Sequence, residues 1–459
     1  MIREGPQLES ASNGGKRKGM SETTNHPVDK VRELQRKLWI SAKSSRTRRF
    51  HALYDRIYRI DILAEAWRRV RARRGAAGVD QTTIEEIETR GVEPYLLEIQ
   101  RQLREGRYRP TAVKRVFIPK SSGGKRPLGI PSVRDRIVQM AAKIVIEPIF
   151  EADFIGTSYG FRPKRNALQA LERVREAANK GYNWVLDVDI KGYFDSIQHS
   201  KLMELVSKRI SDRRVLKLIR KWLESGVMTE GVYERTDVGT PQGGVISPLL
   251  SNIYLHYLDE MWQREYSTLG ILTRYADDFI VQSKRWAQMK ESRKRISEIL
   301  KDLNIELEPE KTGEVNLGMG KEGFNFLGHY LRKCRSVRYP KYYFLNRWPS
   351  KASMAKVKEA IKRITSYRRM KIRNVHELIP ELNRLLRGWS EYFKTGNAAR
   401  KFSHIEGYVW QRLVIFQNRR RGQKRPHRKR EYTYDWYQNL GLYRLMGQIG
   451  YPNLAYLKA

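Results

Sequence analysis

Four acidic residues carry the strongest chemical signal in this chain. Asp187 and Asp189 stand two apart in Trp184-Val-Leu-Asp-Val-Asp-Ile190, and Asp277 and Asp278 are adjacent in Ile271-Leu-Thr-Arg-Tyr-Ala-Asp-Asp-Phe-Ile-Val281. Both stretches are otherwise largely apolar and read as strands. Alternation along a strand puts Asp187, Asp189 and Val185 on one face. The second stretch reads as strand, turn, strand, a hairpin with acids at its tip. Carboxylates on a buried strand are costly unless paired or metal-bound. Carboxylates without His or Cys suit Mg²⁺ and disfavour zinc. Two such ions can activate a 3′-hydroxyl and neutralise a triphosphate, the chemistry of nucleotidyl transfer. Between the two acidic stretches lies the glycine-rich turn Gly239-Thr-Pro-Gln242-Gly-Gly-Val-Ile-Ser-Pro248.

These residues need elements to position them. Over residues 27–110, Val31, Leu34, Leu38, Leu53, Ile57, Ile60, Leu63 and Trp67 recur at three- and four-residue spacing, which predicts helices. Residues 113–117 read as a strand. The following Ile118-Pro-Lys120-Ser-Ser-Gly-Gly-Lys125-Arg126-Pro-Leu-Gly-Ile-Pro131 reads as a basic hairpin with a glycine tip. Such a hairpin suits phosphate, since glycine lets the backbone approach an anion while Lys and Arg supply charge. Pro248 opens an apolar helix carrying Leu249, Leu250, Ile253, Leu255 and Leu258. Beyond residue 350 the spacing of Leu378, Leu382, Leu385, Leu386 and Trp389 is helical.

Charge and composition narrow the partners. The 459 residues hold 90 Lys or Arg against 50 Asp or Glu, a net charge of +40. That excess implies a polyanion. With 25 Tyr and 10 Trp the chain is nonetheless able to build a core. Residues 351–430 alone hold 23 Lys or Arg against five Glu and no Asp. Cys334 is the single cysteine, which excludes a disulfide framework and a cysteine-rich zinc site. No apolar run approaches the roughly 18 residues of a membrane span. A cytoplasmic, nucleic-acid-facing protein with no membrane partner is expected. Residues 1–26 are rich in Gly, Ser, Asn and Lys and read as a disordered tail.

The set of motifs, in order, resembles the group II intron-encoded reverse transcriptases and maturases. Tyr275-Ala-Asp-Asp278 looks like the signature of reverse transcriptases. Residues 118–130 with Asp135-Arg136 resemble the fingers motif, and Asp189-Ile-Lys-Gly-Tyr-Phe-Asp195 resembles the first palm motif. Residues 239–248 resemble the nucleotide-positioning motif. Glu310-Lys-Thr312 and residues 324–329 resemble the later palm and primer-grip motifs. Arg387-Gly-Trp-Ser-Glu-Tyr-Phe393 with Tyr408-Val-Trp-Gln-Arg-Leu413 resembles maturase domain X.

The resemblance implies an α+β right-hand polymerase with a helical, basic domain X. Its expected parts are the tail at 1–26, an N-terminal extension and fingers over 27–180, palm over 181–335, thumb and domain X over 336–420, and a basic C-terminal segment over 421–459. It implies an RNA-directed DNA polymerase that copies intron RNA by two-Mg²⁺ chemistry and binds that RNA to assist splicing. Intron RNA, a DNA primer or target and deoxynucleotides are the implied partners. Residue by residue, Asp189, Asp277 and Asp278 match the metal triad, with Asp187 left as a structural acid. Lys120 and Arg126 match the triphosphate grip, and Gln242 the nucleotide-positioning glutamine. Phe194 matches the ring under the sugar that excludes a 2′-hydroxyl. Lys311 resembles the lysine that protonates leaving pyrophosphate. The paired cysteines of an HNH nuclease are missing, so a primer from elsewhere is expected. The alternatives are an RNA-binding splicing factor, or a reverse transcriptase domesticated for defence or repair.

Overall fold

The computed structural model describes residues 27–119, 124–229, 232–234, 239, 243–337, 339–366, 374–420 and 432–450. The expected tail, Lys120, Gln242 and the basic run at 421–430 lie outside the described residues, and of Arg126 only the backbone is described. The strands in chain order are β1 Val113–Pro119, β2 Lys125–Ile130, β3 Trp184–Val188, β4 Val227–Thr229, β5 Val232–Glu234, β6 Ile271–Tyr275, β7 Asp278–Ser283, β8 Gly313–Asn316, β9 Gly323–Phe326, β10 His329–Arg335 and β11 Tyr343–Pro349. They form three sheets, ordered β2-β1-β4-β5, β6-β7-β3-β8 and β11-β10-β9.

The fingers combine the first sheet with helices. Helix Val133–Glu151 is apolar nearly all round and therefore buried nearly all round. Helices Pro27–Ser44 and Ile60–Arg71 pack against it. The root of β1 is fixed by buried Asp135, which accepts from the Tyr108 hydroxyl at 2.7 Å and from the amide and hydroxyl of Thr111 at 3.0 and 2.6 Å. The expected basic hairpin is β1 paired antiparallel with β2.

The palm is the β6-β7-β3-β8 sheet. Leu186, Val188, Phe279 and Val281 point into the main core. Val185 and Ile280 point to the other face, where Leu171 and Val174 of helix Ala167–Asn179 cover them together with Phe326, Leu331 and Leu345 of the third sheet. The acids stand at the end of this second face.

The thumb is a bundle of helices Lys351–Ile364, Val375–Phe393 and Ala399–Arg420, whose core includes Ile361, Leu378, Leu382, Phe402 and Leu413. Several contacts cross the expected boundaries. The cut at 335 falls inside an antiparallel pair, β10 with β11. Strands β4 and β5, within the expected palm span, join the fingers sheet through β1. Helix Ala167–Asn179, in the expected fingers span, covers the palm. Tyr437, Leu442 and Leu445, in the expected C-terminal segment, complete the thumb core.

Candidate active site

Strand register assembles the acids. β3 and β7 run antiparallel with Asp187 opposite Ile280 and Val188 opposite Phe279. One step further along the same register, Asp189 falls opposite Asp278. Paired residues share a face, so Asp187, Asp189 and Asp278 crowd one end of the palm sheet. β6 and β7 pair up to Tyr275 and Asp278, leaving Ala276 and Asp277 as a two-residue turn. Ala276 takes φ +60°, the left-handed conformation that such turns demand at their first position.

The cluster is electrostatically strained. Burial pushes the Asp278 carboxyl up to about 7, reinforced by Asp187, Asp277 and Asp189 and opposed by the nearby Leu327 backbone. Burial, with Asp189 beside it, pushes Asp187 up to about 7 as well. Asp189 is half exposed and turns to Lys311, whose Nζ lies 3.5 Å from Oδ2. Among the described residues no three potential ligand groups enclose a common ion position as placed. Asp189 is thus neighbour both to Asp278 across the strand pair and to the Lys311 ammonium. Four coupled, oxygen-only donors with two of them held back from ionising are a set that divalent cations would relieve. The donors present fit Mg²⁺.

The turn bearing Asp277 is braced from beneath. Arg274 is fully buried and forms a two-point ion pair with equally buried Asp259, one bond of 2.9 Å running from Nε to Oδ1. Its Nη1 donates to the Ala276 carbonyl at 2.9 Å and to Asn252 Oδ1 at 3.1 Å. Asn252 in turn donates to the Gly160 carbonyl at 2.8 Å. A Cβ on Gly160 would collide with the Ala276 amide, so only glycine lets this segment lie against the turn. Tyr159 and Thr157 bond the backbone of Arg274 on that side. Arg274, Asn252, Asp259 and Gly160 were not singled out from sequence. Their signal was an Arg in an apolar strand and two polar residues seven apart on an apolar helix.

Phe194 lies on helix Tyr193–Ser196, half-buried and edge-on to Tyr193 with ring centroids 5.2 Å apart. The Tyr193 hydroxyl is anchored on the Ser251 carbonyl at 2.8 Å. Nearby, Gly243 takes φ +116° and abuts the Gly129 carbonyl of β2. The Val245 amide donates to Gln139 at 2.9 Å. These contacts bring the segment after Gln242 to the fingers strand that carries Arg126.

Comparisons with known proteins agree with this geometry. Residues 118–331 match the family "Reverse transcriptase (RNA-dependent DNA polymerase)". Residues 354–435 match "Group II intron, maturase-specific domain". The chain is 37% identical over 345 residues to Protein YkfC of Escherichia coli (strain K12), covering 67% of this chain and 89% of that protein. It is 38% identical over 214 residues to the group II intron-encoded protein LtrA of Lactococcus lactis subsp. cremoris, covering 46% of this chain and 35% of LtrA. An uncharacterized 91 kDa protein in a cob intron of Schizosaccharomyces pombe is 47% identical over 163 residues, which are 36% of this chain and 20% of that protein. The match thus spans about a third or less of the length of the two intron proteins. With a carboxylate-bearing palm, a fingers hairpin and a helical maturase-specific domain in one chain, the protein belongs to the group II intron reverse transcriptases.

Proposed function

We propose that Asp189, Asp277 and Asp278 hold two Mg²⁺ ions, with Asp187 shaping the cluster from its buried side, for RNA-directed DNA synthesis on intron RNA. When bound, the ions supply charge neutralisation for a triphosphate and activation of a primer 3′-hydroxyl. The observation that carries this reading is the strand register that sets Asp187 and Asp189 beside Asp278, with Asp277 in the adjoining turn, at one end of the palm sheet. The protein's own side chains do the rest. Arg274 and Gly160 fix the turn that presents Asp277. Lys120, Arg126 and Gln242 grip and orient the incoming deoxynucleotide. Phe194 lies under the sugar. Lys311, 67% exposed and beside Asp189, delivers a proton to the departing pyrophosphate.

The basic helical domain holds intron RNA and assists its splicing, and the protein works in the cytoplasm. Among the described residues no helix is long and apolar enough to cross a membrane. The test is extension of a DNA primer annealed to RNA, with deoxynucleotides and Mg²⁺, by the parent and by Asp277→Ala. Extension by the parent alone is expected. Extension by both would remove the acids from the chemistry, and extension by neither would favour a splicing protein that keeps the fold.

A further inference from the structure

An exposed ring stands against the hairpin that carries the acids. Singly exposed apolar side chains are ordinary on protein surfaces. Phe161 is not ordinary, because its backbone is left-handed, with φ +57°, while its side chain is 50% exposed. A bulky residue holds that conformation only where its surroundings dictate it. The two neighbours do so here. Buried Gly160 lies flat against the Ala276 amide, and its carbonyl accepts from Asn252 at 2.8 Å. Buried Arg162 forms a two-point ion pair with Glu151, with bonds of 3.0 and 2.7 Å, and donates to the carbonyls of Ile155 and Ser158 at 2.5 and 2.8 Å. Both anchors turn inward, so the residue between them is held outward.

The ring points to the hairpin. Its centroid lies 6.5 Å from that of Tyr275, with the two planes tilted by 41°. Tyr275 pairs with Asp278 across β6 and β7, so its side chain shares the face of the acids. The segment before Phe161 is tied along the free edge of β6. The Tyr159 amide donates to the Arg274 carbonyl at 2.8 Å, and the Arg274 amide donates to the Thr157 carbonyl at 2.9 Å. In the order β6-β7-β3-β8, Phe161 therefore flanks the catalytic turn at its β6 edge, whereas Phe194, which follows β3, flanks it from the other side.

We propose that Phe161 is a specificity-determining residue for DNA synthesis, its ring bearing on the RNA template nucleotide paired with the primer end. This inference rests on the reading of the acids as the site of nucleotidyl transfer. A primer 3′-hydroxyl has to reach ions held by the acids, so the last base pair lies over the turn. Phe194 assigns the deoxynucleotide to the β3 side, which leaves the β6 edge to the opposite strand. An aromatic ring holds any base by contact alone, without reading its sequence. A copying enzyme needs that tolerance. A correct pair seats the template nucleotide against the ring, and a mispair shifts it away.

Phe161→Ala in the full chain should lower kcat on a primed RNA template with a matched primer end by roughly 5–30-fold, the scale of one contact between an aromatic ring and a base. With a mispaired primer end the loss should be under about threefold, because the contact is already gone, so discrimination against mispairs narrows. KM for deoxynucleotide should stay within about twofold, since Phe194 and the triphosphate grip are untouched. Phe161→Tyr keeps a ring and should restore both extension and discrimination. Phe161→Asn adopts the left-handed backbone more readily but has no ring, and should fail as Phe161→Ala does. It also carries the test if Phe161→Ala folds poorly. An unaltered kcat would overturn the proposal. So would an equal loss on matched and mispaired ends, or a Phe161→Asn protein that extends as the parent does. If Asp277→Ala still extends primers, the reading of the acids fails and takes this inference with it. If Asp277→Ala is inactive and Phe161→Ala matches the parent, only the role of Phe161 fails.

Discussion

Arg274 donates through its guanidinium to the carbonyl of Ala276, only two residues ahead of it, at 2.9 Å. The charge that makes this bond is fully buried and is cancelled by Asp259, itself fully buried. Removing one partner of such a pair leaves the other charged, desolvated and alone. Arg274→Ala should therefore destabilise the protein by about 3–5 kcal/mol. Arg274→Lys should cost less stability yet depress primer extension strongly. One ammonium can neutralise Asp259 but cannot also span Asn252 and Ala276. Urea denaturation alongside the extension assay checks both, and a fully stable Arg274→Ala protein would contradict the account.

Metal-free stability should depend on pH with a defined sign. Asp187 and Asp278 sit at about 7 in the folded protein, above the ordinary carboxylate value of about 4. The folded state therefore holds protons that the unfolded chain has released. Stability falls as pH rises through the folded values. His329 acts oppositely, losing stability as pH drops below its ordinary value of about 6.5 toward its folded value of about 4. Between about pH 6.5 and 8 the folded imidazole is neutral and the unfolded one at most half protonated, so the carboxylates dominate. In chelator, stability should fall over that window by on the order of 1 kcal/mol. Saturating Mg²⁺ should flatten the slope. Melting curves at matched ionic strength decide it, and a slope that rises with pH would be inconsistent with the buried acids.

Asp277→Ala should abolish DNA synthesis while leaving RNA affinity within about twofold, because phosphate contacts are spread over many basic side chains. Filter binding and primer extension on the same preparation separate the two properties. RNA affinity should also drop steeply with salt as neutralised phosphates recapture counterions. A polymerisation defect explained wholly by lost RNA binding would refute this division of labour.

Phe194→Ala should raise ribonucleotide incorporation and leave deoxynucleotide incorporation measurable. A ring packed under C2′ resists an extra oxygen by about 1–3 kcal/mol. That corresponds to roughly one to two decades of discrimination. Competing both nucleotide types on one primed template measures it. A mutant as selective as the parent would reduce Phe194 to a core residue.

The acids, their order and the hairpin that carries two of them were readable because each motif is local. The Leu250 helix and the Leu378 helix were readable for the same reason, from a repeating apolar face. The brace under the acids was not. Arg274, Asn252, Asp259 and Gly160 meet only through long-range packing, and each alone looks ordinary. Phe161 was beyond reach for a different cause. Phenylalanine carries no turn preference, and its left-handed backbone follows from what holds it rather than from its own type. The expected limit at 335 falls between two paired strands, because strand partners are chosen across the sheet. β11 belongs to β10 although it leads into the thumb.

The path of β11 bears on how such chains can be recombined. Buried Arg347 in the middle of this strand pairs with Glu172 of the palm-covering helix. The same side chain donates to the carbonyl and hydroxyl of Thr395, just past the second thumb helix, at 3.3 and 3.1 Å. A chimera spliced between two relatives at residue 336 would break a hairpin. One spliced at residue 350 would still have to match Arg347 to a foreign Thr395. Palm and maturase-specific domain are therefore heritable as a unit, and a viable hybrid must take both sides of this seam from one parent.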